Sequence, residues 1–262
     1  MTQETTQAVK LFFTDSGGDG QPIVLIHGWT CDSHDWNWQL PALTESYRVI
    51  APDLRGHGRS ELPDSGFHPR DYAVDVAALL TDLDTGPVIA IGHSMGGSVA
   101  SFLAVEHPEL VRAVVVVDPA YGFDQEGAEA ALAFCRELEA TDSMQPALDR
   151  IAGGEGGDPV LAEWHRRRAL GTPHSVVVGS VLEVHGTLDS FVNKPQIDEL
   201  LRQRQMPVFA VHSNAAAAEW EGGLSSNPQS ASLAIEGRGH WLHQEDPETF
   251  NRCLLEWLSQ LD

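Results

Sequence analysis

Short apolar runs recur along the chain, each closed by glycine, proline or aspartate. Residues 22–26 end at His27-Gly28, residues 47–51 at Pro52-Asp53, and residues 87–91 at Gly92. The β-branched run 111–117 ends at Asp118-Pro119, and residues 206–211 and 232–235 follow as later candidates. Unbroken apolar runs of this length suit strands buried on both faces of a parallel sheet. Between them the apolar period lengthens to that of a helix. Over 71–83, Tyr72, Val76, Leu79, Leu80 and Leu83 share one side. Residues 94–106 form a second helix, rich in small side chains and stopped before Pro108. Residues 247–261 form a third, with Asp246 as N-cap and Pro247 in the first helical position. Strands alternating with helices predict an α/β chain with a mostly parallel sheet.

The alternation breaks over 123–193. That stretch reads as several helices with an internal break at Gly153, Gly154, Gly156 and Gly157. It predicts a helical cap inserted over the strand ends, between core segments 1–122 and 194–262. The run 175–182 fits helix or strand equally.

Composition narrows the function. The 262 residues hold 38 acids against 16 Lys and Arg, a formal charge of −22. Phosphate recognition needs a basic surface, so no nucleic-acid partner is expected, and no polybasic membrane anchor. No apolar run approaches the roughly 20 residues that span a bilayer. Met1 to Lys10 lacks the basic and apolar regions of a targeting segment. Three scattered cysteines form no CxxC pair and no disulfide framework, which points to the cytoplasm. No metal-ligand spacing, phosphate loop or dinucleotide fingerprint is present, so no cofactor and no metal are expected. The expected partner is a small-molecule substrate, and the oligomeric state is left open.

The chemistry centres on Gly92-His93-Ser94-Met95-Gly96, a G-x-S-x-G sequence that follows a strand and opens a helix. A sharp turn there would project the Ser94 hydroxyl at the carboxyl edge of the sheet, beside a helix N-terminus that favours an oxyanion. With His27-Gly28-Trp29, the passage from Pro52 to Ser60, and Gly239-His240 in the same order, the chain resembles the α/β-hydrolase superfamily. The resemblance implies a mostly parallel eight-stranded sheet flanked by helices, with Ser94 as nucleophile. It implies an oxyanion hole from the backbone amides of Met95 and Trp29. His240 follows the last predicted strand and is the expected base; His27, His57 and His93 read as structural, and His243 as a weaker candidate.

The orienting acid departs from the usual pattern. Relatives place it after the run 206–211, yet His212-Ser213-Asn214-Ala215 holds no carboxylate. Asp118, one strand earlier, is the expected acid, a placement similar to that of zearalenone-lactonase-type members. Glu219 and a neutral orienter, Asn214, stay open. Trp164, Trp220 and Trp241 are expected to line an apolar pocket, and the basic cluster His165-Arg166-Arg167-Arg168 to be a solvated helix face. The expected activity is serine hydrolysis of an ester or lactone of an apolar or aromatic molecule. Two alternatives remain: C–C bond hydrolysis or a lyase reaction on an activated ketone, and a non-catalytic receptor on the same fold. The resemblance disfavours epoxide opening and dehalogenation, which use an aspartate where Ser94 stands.

Overall fold

The computed structural model describes residues 7–261, so most of the stretch Met1 to Lys10 lies outside the described residues. Seven strands form one sheet: β1 (Phe13–Asp15), β2 (Gln21–Ile26), β3 (Tyr47–Pro52), β4 (Val88–His93), β5 (Val111–Val117), β6 (Val208–His212) and β7 (Ala231–Ala234). Their spatial order is β1-β3-β2-β4-β5-β6-β7. β1 is antiparallel to β3 and every other pairing is parallel.

Eight strands were expected, and seven are found among the described residues. The chain before β1 satisfies its backbone without a ladder. Val9 N donates to Asp75 Oδ1 at 2.8 Å, Lys10 N to Glu61 Oε2 at 3.1 Å, and Phe12 N to Ser60 Oγ at 2.8 Å. β1 itself escaped the apolar pattern because it is a three-residue edge strand of mixed polarity.

The continuous apolar runs follow from burial on both faces. Val24 and Ile26 of β2 join one core with Val114 and Val116 of β5, while Ile23 and Leu25 join the other with Val115 and Val117. Helices cover both layers. They are α1 (Leu40–Leu43), α2 (Pro69–Asp82), α3 (Met95–Glu106), α4 (Gln125–Glu139), α5 (Gln145–Gly153), α6 (Pro159–Gly171), α7 (His174–His185), α8 (Gln196–Leu201), α9 (Ala215–Gly222), α10 (Leu242–Glu245) and α11 (Pro247–Leu258). α2 and α3 supply Tyr72, Val76, Val99 and Leu103 to the first core; α11 supplies Phe250, Leu254 and Trp257 to the second. Asp246 Oδ1 caps α11 by accepting from Thr249 N at 3.2 Å.

Helices α4 to α7 occupy the segment expected as an insertion, and the undecided run 175–182 lies inside α7. Val177 and Val181 stand one turn apart there and pack on Cys135 and Leu138 of α4, so tertiary burial overrides the β propensity of a valine-rich run. No helix among the described residues is long and apolar enough to cross a membrane.

Candidate active site

Ser94 is the single residue between β4 and α3. Its φ of 53° and ψ of −118° are strained for an L residue. Neighbouring backbone holds the turn. Ser94 N donates to Val117 O at 2.9 Å, and Ser94 O accepts from Gly97 N at 2.9 Å and Ala120 N at 3.1 Å. Glycine is required on either side by close approach. A Cβ on Gly92 would lie 2.0 Å from Gly96 O, and one on Gly96 would lie 2.2 Å from Ile26 O.

The loop after β2 lies against this turn, since a Cβ on Gly28 would sit 3.2 Å from Ser94 Cβ. Trp29, Met95 and Ser94 line one cavity of about 750 Å³. Met95 is the first residue of α3, where backbone N–H groups have no partner within the helix. The Trp29 indole donates to Val177 O of α7 at 3.2 Å. Buried histidines tie this loop to the one after β3: Leu54 N donates to His27 Nε2 at 2.9 Å and Thr30 N to His57 Nε2 at 3.3 Å.

Asp118, the first residue beyond β5, and His240 line the same cavity. Asp118 Oδ2 is 2.7 Å from His240 Nδ1, and Asp118 Oδ1 accepts from Ser213 N at 2.8 Å. Burial alone would raise this carboxyl. The hydrogen bond and charge of His240, with the Ser213 hydrogen bonds, outweigh burial and bring it down to about 2. An ionised carboxylate only accepts, so His240 Nδ1 is the donor in this contact. His240 N donates to Gly154 O at 2.7 Å. The glycine break read from the sequence is therefore where the segment between α5 and α6 closes on His240.

Asp118, and neither Glu219 nor Asn214, is the hydrogen-bond partner of His240 Nδ1. Glu219 is exposed on α9, and Asn214 Oδ1 caps that helix by accepting from Ala217 N at 2.9 Å. Glu221 is buried between Arg204 Nη2 at 2.9 Å, His212 Nε2 at 2.8 Å and the Tyr121 hydroxyl at 2.6 Å.

Trp220 and Trp241 line the cavity. Trp164 is not among its lining residues, a correction to the expected pocket. Its ring packs on Trp38 at 4.9 Å, with the Arg168 guanidinium 4.6 Å away. The basic cluster also departs from expectation. Arg166 is solvated, but Arg168 turns inward and its Nη2 lies 2.7 Å from Asp35 Oδ1. Asp35 is fully buried, as are His93 and His243 beside it. The ligand atoms of these three stand within 4.8 Å of one another. They suit a divalent ion poorly, because the fixed Arg168 cation already neutralises the one carboxylate. His93 Nε2 instead lies 3.0 Å from His240 O and props the His240 loop from behind.

Arg150, His185 and Lys194 also line the cavity, and none was expected. They sit on or beside the helices between β5 and β6, whose path no local motif specifies.

The alpha/beta hydrolase family model matches residues 23–252. A putative non-heme chloroperoxidase of Synechocystis is 38% identical over 226 residues, covering 81% of this chain and 80% of that protein. A soluble epoxide hydrolase of Corynebacterium is 43% identical over 112 residues, 43% of this chain and only 39% of that relative's length. Among solved structures, a thermophilic esterase from Thermogutta terrifontis aligns with a TM-score of 0.81 at 26% identity, covering 97% of this chain and 94% of that one.

Proposed function

Because the chain belongs to the alpha/beta hydrolase family, we propose that it is a serine hydrolase cleaving a carboxylic ester or lactone of an apolar or aromatic small molecule. Ser94 Oγ attacks the carbonyl carbon while His240 Nε2 takes its proton. The backbone N–H groups of Trp29 and Met95 stabilise the oxyanion of the tetrahedral intermediate. Asp118 remains ionised, holds the His240 tautomer and stabilises the imidazolium that forms. His240 then protonates the leaving alkoxide, leaving Ser94 acylated. Water, deprotonated by the same nitrogen, attacks the acyl carbon, and the acid product leaves as Ser94 regains its proton. Three free cysteines suit a reducing compartment such as the cytoplasm.

The observation that carries this reading is the 2.7 Å contact between His240 Nδ1 and Asp118 Oδ2 in the cavity that Ser94 lines. The Corynebacterium relative is an epoxide hydrolase, a chemistry the family performs with an aspartate where this chain has Ser94, so the nucleophile favours acyl transfer.

A fluorophosphonate should label the protein once per chain, and 4-nitrophenyl butyrate should be turned over. Ser94→Ala should lose both. Turnover that survives Ser94→Ala, or a wild type that neither labels nor turns over ester, would sink the proposal.

A further inference from the structure

In this acidic chain most arginines sit against a carboxylate. Arg55 on Asp75, Arg168 on Asp35 and Arg204 on Glu221 are the buried examples. The cavity's Arg150 and Lys194 face aromatic rings instead. The Arg150 guanidinium is 5.7 Å from the Phe134 ring centre, and Lys194 Nζ is 4.0 Å from that of Trp220. Phe134 and Trp220 line the cavity too. Among the described residues no acid forms an ion pair with either cation, although Asp149 lines the cavity beside Arg150. Asp149 Oδ1 accepts from Gln145 Nε2 at 2.7 Å, and Asp198 lies 3.2 Å from Trp220 Nε1 and 3.5 Å from Arg202 Nη2. Beside Arg150, His185 presents a buried Nδ1 with no hydrogen-bond partner. Burial and the Arg150 charge push that imidazole down to about 4, so it is a neutral group able to donate one N–H.

We propose that the substrate carries a carboxylate, held between Arg150 and Lys194 with His185 beside it, while its ester or lactone carbonyl reaches Ser94. This rests on the hydrolase reading and revises its substrate: the apolar or aromatic body bears an anionic end. A guanidinium recognises a carboxylate through paired N–H donors, and the aromatic faces hold both cations without neutralising them. The surroundings sharpen the requirement. A net charge of −22, the ionised Asp118 and the Asp149 side chain in the cavity wall all oppose an incoming anion, so a carboxylate ester is accepted only if local cations outweigh that field.

The test compares the mono-4-nitrophenyl ester of adipic acid with methyl 4-nitrophenyl adipate, which differs only in its masked carboxylate. The wild-type kcat/KM ratio, acid over methyl ester, should exceed one. In Arg150→Met/Lys194→Met it should fall at least about tenfold, mainly through KM. A wild-type ratio below one, or a ratio unmoved by the double substitution, would overturn the proposal. Calorimetric titration of Ser94→Ala with the adipate monoester reads the same contact without catalysis. Its Kd should weaken at least about tenfold when both cations are removed, and an unchanged Kd counts against the carboxylate site. Carboxylate binding that depends on these cations, with neither ester hydrolysed by the wild type, would remove the hydrolase reading and leave the binding site standing.

Discussion

Asp118 meets two demands at one position. Its backbone has a φ of 41°, in the left-handed region that asparagine and aspartate tolerate best. Its carboxylate is shared between the His240 ring and the Ser213 amide. Asp118→Asn keeps the backbone preference and an oxygen for Ser213, but turns an NH₂ toward His240 Nδ1. That favours the tautomer with hydrogen on Nε2, which could not take the Ser94 proton in the proposed reaction. The expected outcome is a fall in kcat of ~10²–10⁴, with near-ultraviolet circular dichroism unchanged. Activity within a few-fold of wild type would remove Asp118 from the mechanism. The meeting of Ser94, Asp118 and His240 was legible because each follows an apolar run that the period marks as a strand, and parallel strands deliver such residues to one edge. Arg150, His185 and Lys194 carry no such marker, because a helical segment fixes which residues are near one another only within itself.

At the scale of elements, helix α6 is tied to the His240 loop through a buried charge. Arg168 of α6 meets Asp35 at 2.7 Å, Gln244 Nε2 donates to Asp35 Oδ1 at 2.7 Å, and His165 of α6 lies 2.9 Å from Gln244 Oε1. Desolvation alone would raise the Asp35 carboxyl; the Arg168 charge and the neighbouring histidines outweigh it and hold the group well below the usual range. Removing one partner of such a pair leaves a buried charge without compensation. Arg168→Met should cost about 3–5 kcal/mol in urea unfolding, whereas Arg168→Met with Asp35→Asn should cost clearly less than the sum of the two single changes. Additive losses would show that the pair is not coupled. From the sequence, Arg168 looked like the edge of a solvated cluster, and Trp164 like a pocket wall. Both readings missed for one reason: periodicity shows that α6 has faces, but not which of them turns toward Asp35 and Trp38.

The whole molecule sets its acid stability through two opposed effects. Acidification reduces the self-repulsion of a chain at −22, which favours the fold. It also charges histidines that the fold keeps neutral. Burial holds His57 at about 3, and burial with the Arg150 charge holds His185 at about 4. Burial with the Arg70 charge holds His68 at about 4. With ordinary values of 6.5, the unfolded chain binds these protons first, so their stabilisation is complete above pH 6.5 and drains as pH falls toward 4 and 3. Asp53 and Asp118, held at about 2 against an ordinary 3.8, act in a lower window, and their stabilisation is lost as pH falls from 3.8 through 2. Salt screens exposed charges far more than buried ones, so the histidines should dominate between pH 6.5 and 4, and the unfolding free energy should fall there. His68 isolates one contribution. Its Nδ1 caps α2 by accepting from Arg70 N at 3.0 Å, and asparagine is an equally good cap that does not titrate. In urea unfolding at pH 7, 6, 5 and 4, His68→Asn should flatten the slope by up to about 1.4 kcal/mol per pH unit, the value for one proton. An identical slope in the variant would mean that His68 titrates in the fold as it does in the unfolded chain.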